Sequence, residues 1–190
     1  MTRFRGKRKQ EDAEERRKRR SLVGEKIRPS EPDVDQRAEF VELYKILVQS
    51  SESLVARRQN VNTFFVTANG FLLSAVALVA KDGVPGRRIA IAVIIMSLVG
   101  VILSLIWRQL LLSFGQLNAG KFMVINEMEK YLAAPIFDAE WVALAEGRER
   151  RVYRSFTNNE ARVPLAIFCV YVLLLAGAIA VAVGWLHIAA

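Results

Sequence analysis

The sequence is poor in the residues from which catalytic and metal sites are built. It holds one cysteine, Cys169, and one histidine, His187. A single cysteine excludes an intrachain disulfide, and its apolar surroundings favour a packed or lipid-facing thiol over a reactive one. No HExxH, CxxC, GxSxG, Walker or Rossmann spacing occurs, so nothing asks for a metal, a cofactor or a catalytic nucleophile. Glu127 and Glu129, two apart on a helix, point in different directions and do not form a paired acid site. The expectation is that the chain is not an enzyme, and that His187 is a membrane-interface residue.

Charge is missing from three long stretches: Asn62 to Ala80, Ile89 to Trp107, and Pro164 to His187 with the imidazole neutral. At about 1.5 Å of rise per helical residue, each covers roughly the 30 Å hydrocarbon core of a bilayer. A chain of 190 residues is too short to wrap three such helices in a soluble shell, so they read as transmembrane helices. With no acid or base deep in a span, a proton-coupled transporter is disfavoured. The first apolar run begins about sixty residues in, too late for a cleaved secretory signal.

What is present is charge outside the spans. The chain is 53% hydrophobic and 24% charged, with 27 Lys and Arg against 19 Asp and Glu. Residues 1–60 carry sixteen Lys and Arg, 81–88 three and 108–163 eight. The bias of basic residues toward the inner side places the N-terminus in the cytoplasm and the C-terminus outside. Trp107 and Trp185 fall near opposite faces of the bilayer, at headgroup level.

Residues 1–34 are dense in charge, contain Pro29 and Pro32, and have almost no large apolar side chains. Such a segment cannot bury enough surface to offset its ordering entropy, so a disordered basic cytoplasmic tail is expected, with transient helix over Gln10 to Arg20. Its partner is read as anionic lipid. No nucleic acid is expected, because no aromatic or glycine pattern of an RNA-binding motif accompanies the charges.

From Asp35, the residues Phe40, Val41, Tyr44, Leu47, Val48, Ser51, Leu54 and Val55 form a helical stripe. No proline separates it from the first span, which predicts one helix from about Asp35 to Ala80. The Lys81–Arg88 segment is a turn. A second helix from about Arg88 to Ala133 carries Leu117, Val124, Ile125, Met128, Tyr131 and Leu132 on one face, before Pro135 stops it. The fold expected is therefore an all-α membrane protein with three transmembrane helices (62–80, 89–107 and 164–187). Its first two helices extend, over 35–133, into a long cytoplasmic antiparallel hairpin, a two-helix coiled-coil stalk.

Residues 134–163 read as a cytoplasmic linker. Asp138 is expected to N-cap a short helix, DAEWVALAEG, ended by Gly147, and Thr157 to Glu160 fit a capping box ahead of the third span. Arg148, Arg150, Arg151 and Arg154, with Arg57, Arg58 and Arg108 at the span ends, are candidate anion or lipid contacts.

Within the spans, small and polar residues line up: Thr63, Thr67, Gly70 and Ser74 in the first, Ser97, Gly100 and Ser104 in the second, Ala176, Ala180 and Gly184 in the third. In lipid there is no hydrophobic drive between helices, so rows of this kind pack helices closely or line a passage. More of them exist than one protomer comfortably buries, which favours a homo-oligomer.

The segments ARRQNVNTFFVTANGFLLSA (Ala56–Ala75) and QLNAGKFMVINEMEKYL (Gln116–Leu132), then Glu140 and Trp141, and FTNNEARVP before the last span together resemble the RipA-type family of octameric bacterial inner-membrane proteins. The resemblance spans roughly Glu39 to Phe168, leaves out the basic tail, and is most specific in ARRQ-N-NTFF. It implies a bacterial cytoplasmic-membrane protein forming a ring-like oligomer, with no established enzymatic activity and no ligand or catalytic residue to carry over. Two readings of function remain open. One is a non-enzymatic membrane scaffold or stress and integrity factor whose protein partner is unknown. The other is a gated pore lined by the Thr63 row, or a nucleotide-responsive transmembrane effector sensing an anion near Arg150.

Overall fold

Residues 34–80 contain no proline and a single glycine, Gly70, so nothing interrupts a helix there. The computed structural model, which describes residues 2–27, 34–81, 87–144 and 160–184, has α2 running unbroken from Val34 to Ala80. Its 47 residues reach about 70 Å. In the sequence beyond it stand Asp82, Gly83 and Pro85, residues that do not continue a helix. A second long helix, α3 (Arg87–Met128), continues through Gly100, Gly115 and Gly120 without a break and tightens into a 3-10 turn at Glu129–Tyr131. Helix α4 (Ile136–Ala143) follows, and α5 (Arg162–Ala182) ends at Gly184, whose φ of 78° only glycine adopts without strain. No strand occurs among the described residues, and α2, α3 and α5 are each long and apolar enough to cross a bilayer.

Within the segment expected to be disordered, residues 1–34, the structure has helix α1 over Thr2–Ile27; residues 28–33 lie outside the described residues. Composition argues against a packed core there, but helix needs none. The segment is proline-free up to Pro29, is rich in Arg, Lys and Glu, and carries an i, i+4 pair, Glu15 with Arg19, at 2.8 Å. Its last turns are also anchored. Arg20 lies 3.6 Å from the carboxylate of Glu127, and Gly24 lets the backbone approach that same carboxylate.

The chain divides into two compact units. The first holds residues 1–54 and 116–154. In it α2 and α3 run antiparallel, since Tyr44 meets Glu129 and Ser51 meets Asn118. Phe40, Tyr44, Leu47, Ser51 and Leu54 turn inward as the stripe predicts, whereas Val41 and Val55 are exposed. On α3, Ile125 and Met128 are buried, but Leu117 and Tyr131 are not. The facing positions are taken instead by Asn118 and Lys121, which bond Ser51 and Ser50 of α2.

The second unit holds residues 55–115 and 155–190. Here Phe65, Trp107 and Leu111 form one buried cluster, and Val76, Val93 and Ala178 a second. Asn62 with Trp107 and Val76 with Val93 set an antiparallel pair, and Ile167, Leu174 and Ala178 bring α5 onto both clusters. Trp107 is turned inward: its ring stacks on Phe65 at 5.8 Å and its Nε1 donates to Asn62 Oδ1 at 2.8 Å. The headgroup contact expected for it is thus replaced by one within the chain. Trp185 lies outside the described residues. The outward surface is apolar, with Phe71, Leu78, Ile95, Ile102 and Leu173 all exposed on the single chain.

Candidate functional site

The two rows of small and polar residues in α2 and α3 have different fates. Ser97, Gly100 and Ser104 are buried inside the protomer. Tyr171 of α5 covers Gly100: a Cβ added there would fall onto its aromatic ring. Its hydroxyl donates to the backbone oxygen of Asn69 at 3.3 Å. Ser104 bonds its own helix at Gly100 O, 2.8 Å away. This row is a packing face.

Thr63, Thr67, Gly70 and Ser74 are all exposed. Ser74 donates back to Gly70 O at 2.9 Å, and nothing approaches Gly70. The inward face of α2 is the one carrying Asn62, Phe65, Asn69 and Val76. The row that looked like a passage or an interface is therefore left open by the described residues. Of the third row, Ala176 and Gly184 are exposed and Ala180 is half-buried.

Asn69 is the polar residue that the sequence pattern passed over. It is 1% exposed, and its amide donates to Phe65 O at 2.8 Å. Its own Oδ1 and the neighbouring helix's Ser97 Oγ are buried without a hydrogen bond among the described residues. An isolated asparagine in an apolar run carries no periodic signal, and Tyr171 lies 102 residues further along, so neither could be paired from the sequence.

The arginines separate as well. Arg57 and Arg108 are exposed, while Arg58 is half-buried and forms an ion pair with Glu160 at 3.5 Å. Glu160 was expected to close a capping box with Thr157. It reaches α2 instead, and Thr157 lies outside the described residues, as do Arg148, Arg150, Arg151 and Arg154.

In the first unit the two acids Glu127 and Glu129 are both buried but serve different partners. Glu127 accepts from Lys130 at 2.6 Å and faces Arg20 of α1. Glu129 is 1% exposed and accepts from Tyr44 Oη at 3.0 Å, Phe137 N at 3.0 Å and Asp138 N at 3.2 Å. The cap of α4 is thus the Glu129 carboxylate and not Asp138, which sits inside a helix that starts two residues earlier than its own position suggests. Gly147 lies outside the described residues. An acid at a helix N-terminus satisfies orphan amides and meets the positive end of the helix dipole.

Burial, reinforced by the Glu129 carboxylate, pushes the Tyr44 hydroxyl up to about 12. Because the neutral phenol is the form favoured by folding, the contribution is complete below pH 10, the ordinary value, and is lost as pH rises toward 12. A 295 nm titration should show Tyr44 ionising well above the ordinary phenol value of 10. Glu129→Gln should lower its midpoint without restoring the ordinary value, since burial is the larger cause. A midpoint that does not move would show that the carboxylate does not act on Tyr44. Among the described residues no cluster of three His, Cys, Asp or Glu is placed to hold a metal.

Three spanning helices, an inner face closed by Tyr171 and an outer face left uncovered define a multi-pass helical membrane protein. Residues 41–180 match the model of the octameric membrane protein family, and the chain belongs to that family. No curated protein and no solved structure matches it. The protein is accordingly a multi-pass membrane protein that associates with copies of itself.

Proposed function

We propose that the assembly is a non-enzymatic scaffold, or an integrity factor acting under stress, in the bacterial cytoplasmic membrane. Its N-terminus and first unit are cytoplasmic, its C-terminus is periplasmic, and its basic residues, Arg57 and Arg108 among them, lie against anionic lipid. The observation that carries this reading is the uncovered row Thr63, Thr67, Gly70 and Ser74, flanked by exposed apolar side chains. Exposed small residues let helices of neighbouring copies approach closely, and interhelical hydrogen bonds in bilayers contribute on the order of 0.6 kcal/mol each.

The same row supports a second reading, a gated pore or nucleotide-responsive effector, because hydroxyls directed at a central axis would give water a path. Thr67→Leu separates the two. A scaffold passes no current in planar bilayers, with or without the substitution. A current in the unsubstituted protein that Thr67→Leu abolishes would replace the scaffold by the pore.

A further inference from the structure

The first unit carries two apolar surfaces that the described residues leave uncovered. One is a groove of about 460 Å³ between α1 and α2, floored by Leu47 and Met128 and edged by Leu43 and Ile46, with Lys26 at its rim. Leu43 and Ile46 are 52% and 55% exposed. The other is one side of α4. Ile136, Ala139, Val142 and Ala143 fall within about 120° of the helix circumference and all four are exposed, while Phe137, on the other side, packs on Phe122. Asp138 and Glu140 flank this face, and α4 contains no basic residue.

Helices as charged as α1 and the first part of α2 face water, where an uncovered Leu or Ile costs about 25 cal/mol per Å² of apolar surface. We infer that α4 of one copy lies in the groove of the next, its apolar face on Leu43 and Ile46 and its carboxylates toward Lys26. The chain self-associates, so a second copy is at hand to supply the occupant. The two surfaces are complementary in shape class, an amphipathic helix and a groove, and opposite in charge. They are also different surfaces, so the contact is head-to-tail, the kind that repeats around a closed ring and not the kind that pairs two copies face to face.

The test uses two populations of the full chain, each carrying Cys169→Ser and distinguished by tag size, one with Ile46→Cys and the other with Val142→Cys. Co-expressed in membranes and treated with a short bis-maleimide, they should shift protomer to a covalent dimer containing one chain of each kind. Adding Ile136→Asp to the Val142→Cys chain should remove that dimer. Like-with-like dimers only, or no dimer, overturns the head-to-tail contact. Native mass of the same sample separates a failure of this contact from a failure of self-association.

Discussion

Replacing Gly100 by alanine is expected to unseat α5 from the second unit. The added methyl would occupy the position of the Tyr171 ring, a buried side chain of α5. Tyr171, fully buried, cannot swing aside without giving up its bond to Asn69 O. Overpacking a filled interior costs about 1–3 kcal/mol, at the upper end here because the clash is with a rigid ring. The measure is the unfolding midpoint of purified protein in detergent, followed by near-ultraviolet circular dichroism. Gly100→Ala combined with Tyr171→Ala should recover part of the loss, since the methyl then enters the space the ring vacates. A double variant no better than the single one would mean that the ring is not what Gly100 accommodates. By contrast Gly70→Ala, whose methyl meets none of the described residues, should not lower the unfolding midpoint of the isolated chain and should raise it slightly, alanine being the better helix former.

Removing the Glu129 carboxylate is expected to release α4. Glu129→Ala leaves the Tyr44 hydroxyl and the Phe137 and Asp138 amides without the acceptor they share. Leaving buried donors unsatisfied costs about 1–3 kcal/mol per group, and hydrogen bonds to a charged partner lie at the upper end. Helix α4 is only eight residues long and cannot hold itself together without that anchor. Amide exchange across Ile136–Ala143 should therefore accelerate sharply, and the segment should become open to protease, while the second unit keeps its protection. Glu129→Gln retains one acceptor oxygen and should fall between the two. Unchanged exchange in the alanine variant would assign the position of α4 to its apolar packing, the contact between Phe137 and Phe122 included.

Both effects lie at places where residues distant in the chain meet, and the division between the legible and the illegible follows from that. Hydropathy and helix continuity are local properties. The charge-free runs, the proline-free stretch from Val34 to Ala80 and the breakers at Gly83, Pro85 and Pro135 therefore determined three spans and two long helices from the sequence alone. The FTNNEARVP and ARRQ-N-NTFF segments likewise pointed to the family that residues 41–180 match. The length of α1 was misjudged because composition measures the drive to form a core, and a helix of Arg, Lys and Glu forms without one. Which row of small residues faces inward was decided only by the tertiary structure. On a single helix, Ser97, Gly100 and Ser104 look the same as Thr67, Gly70 and Ser74; the difference is tertiary, the first row being buried with Tyr171 of another helix on Gly100, and the second left exposed. The cap of α4 was hidden for the same reason, since a carboxylate eight residues upstream reaches those amides only once the chain has turned at Pro135.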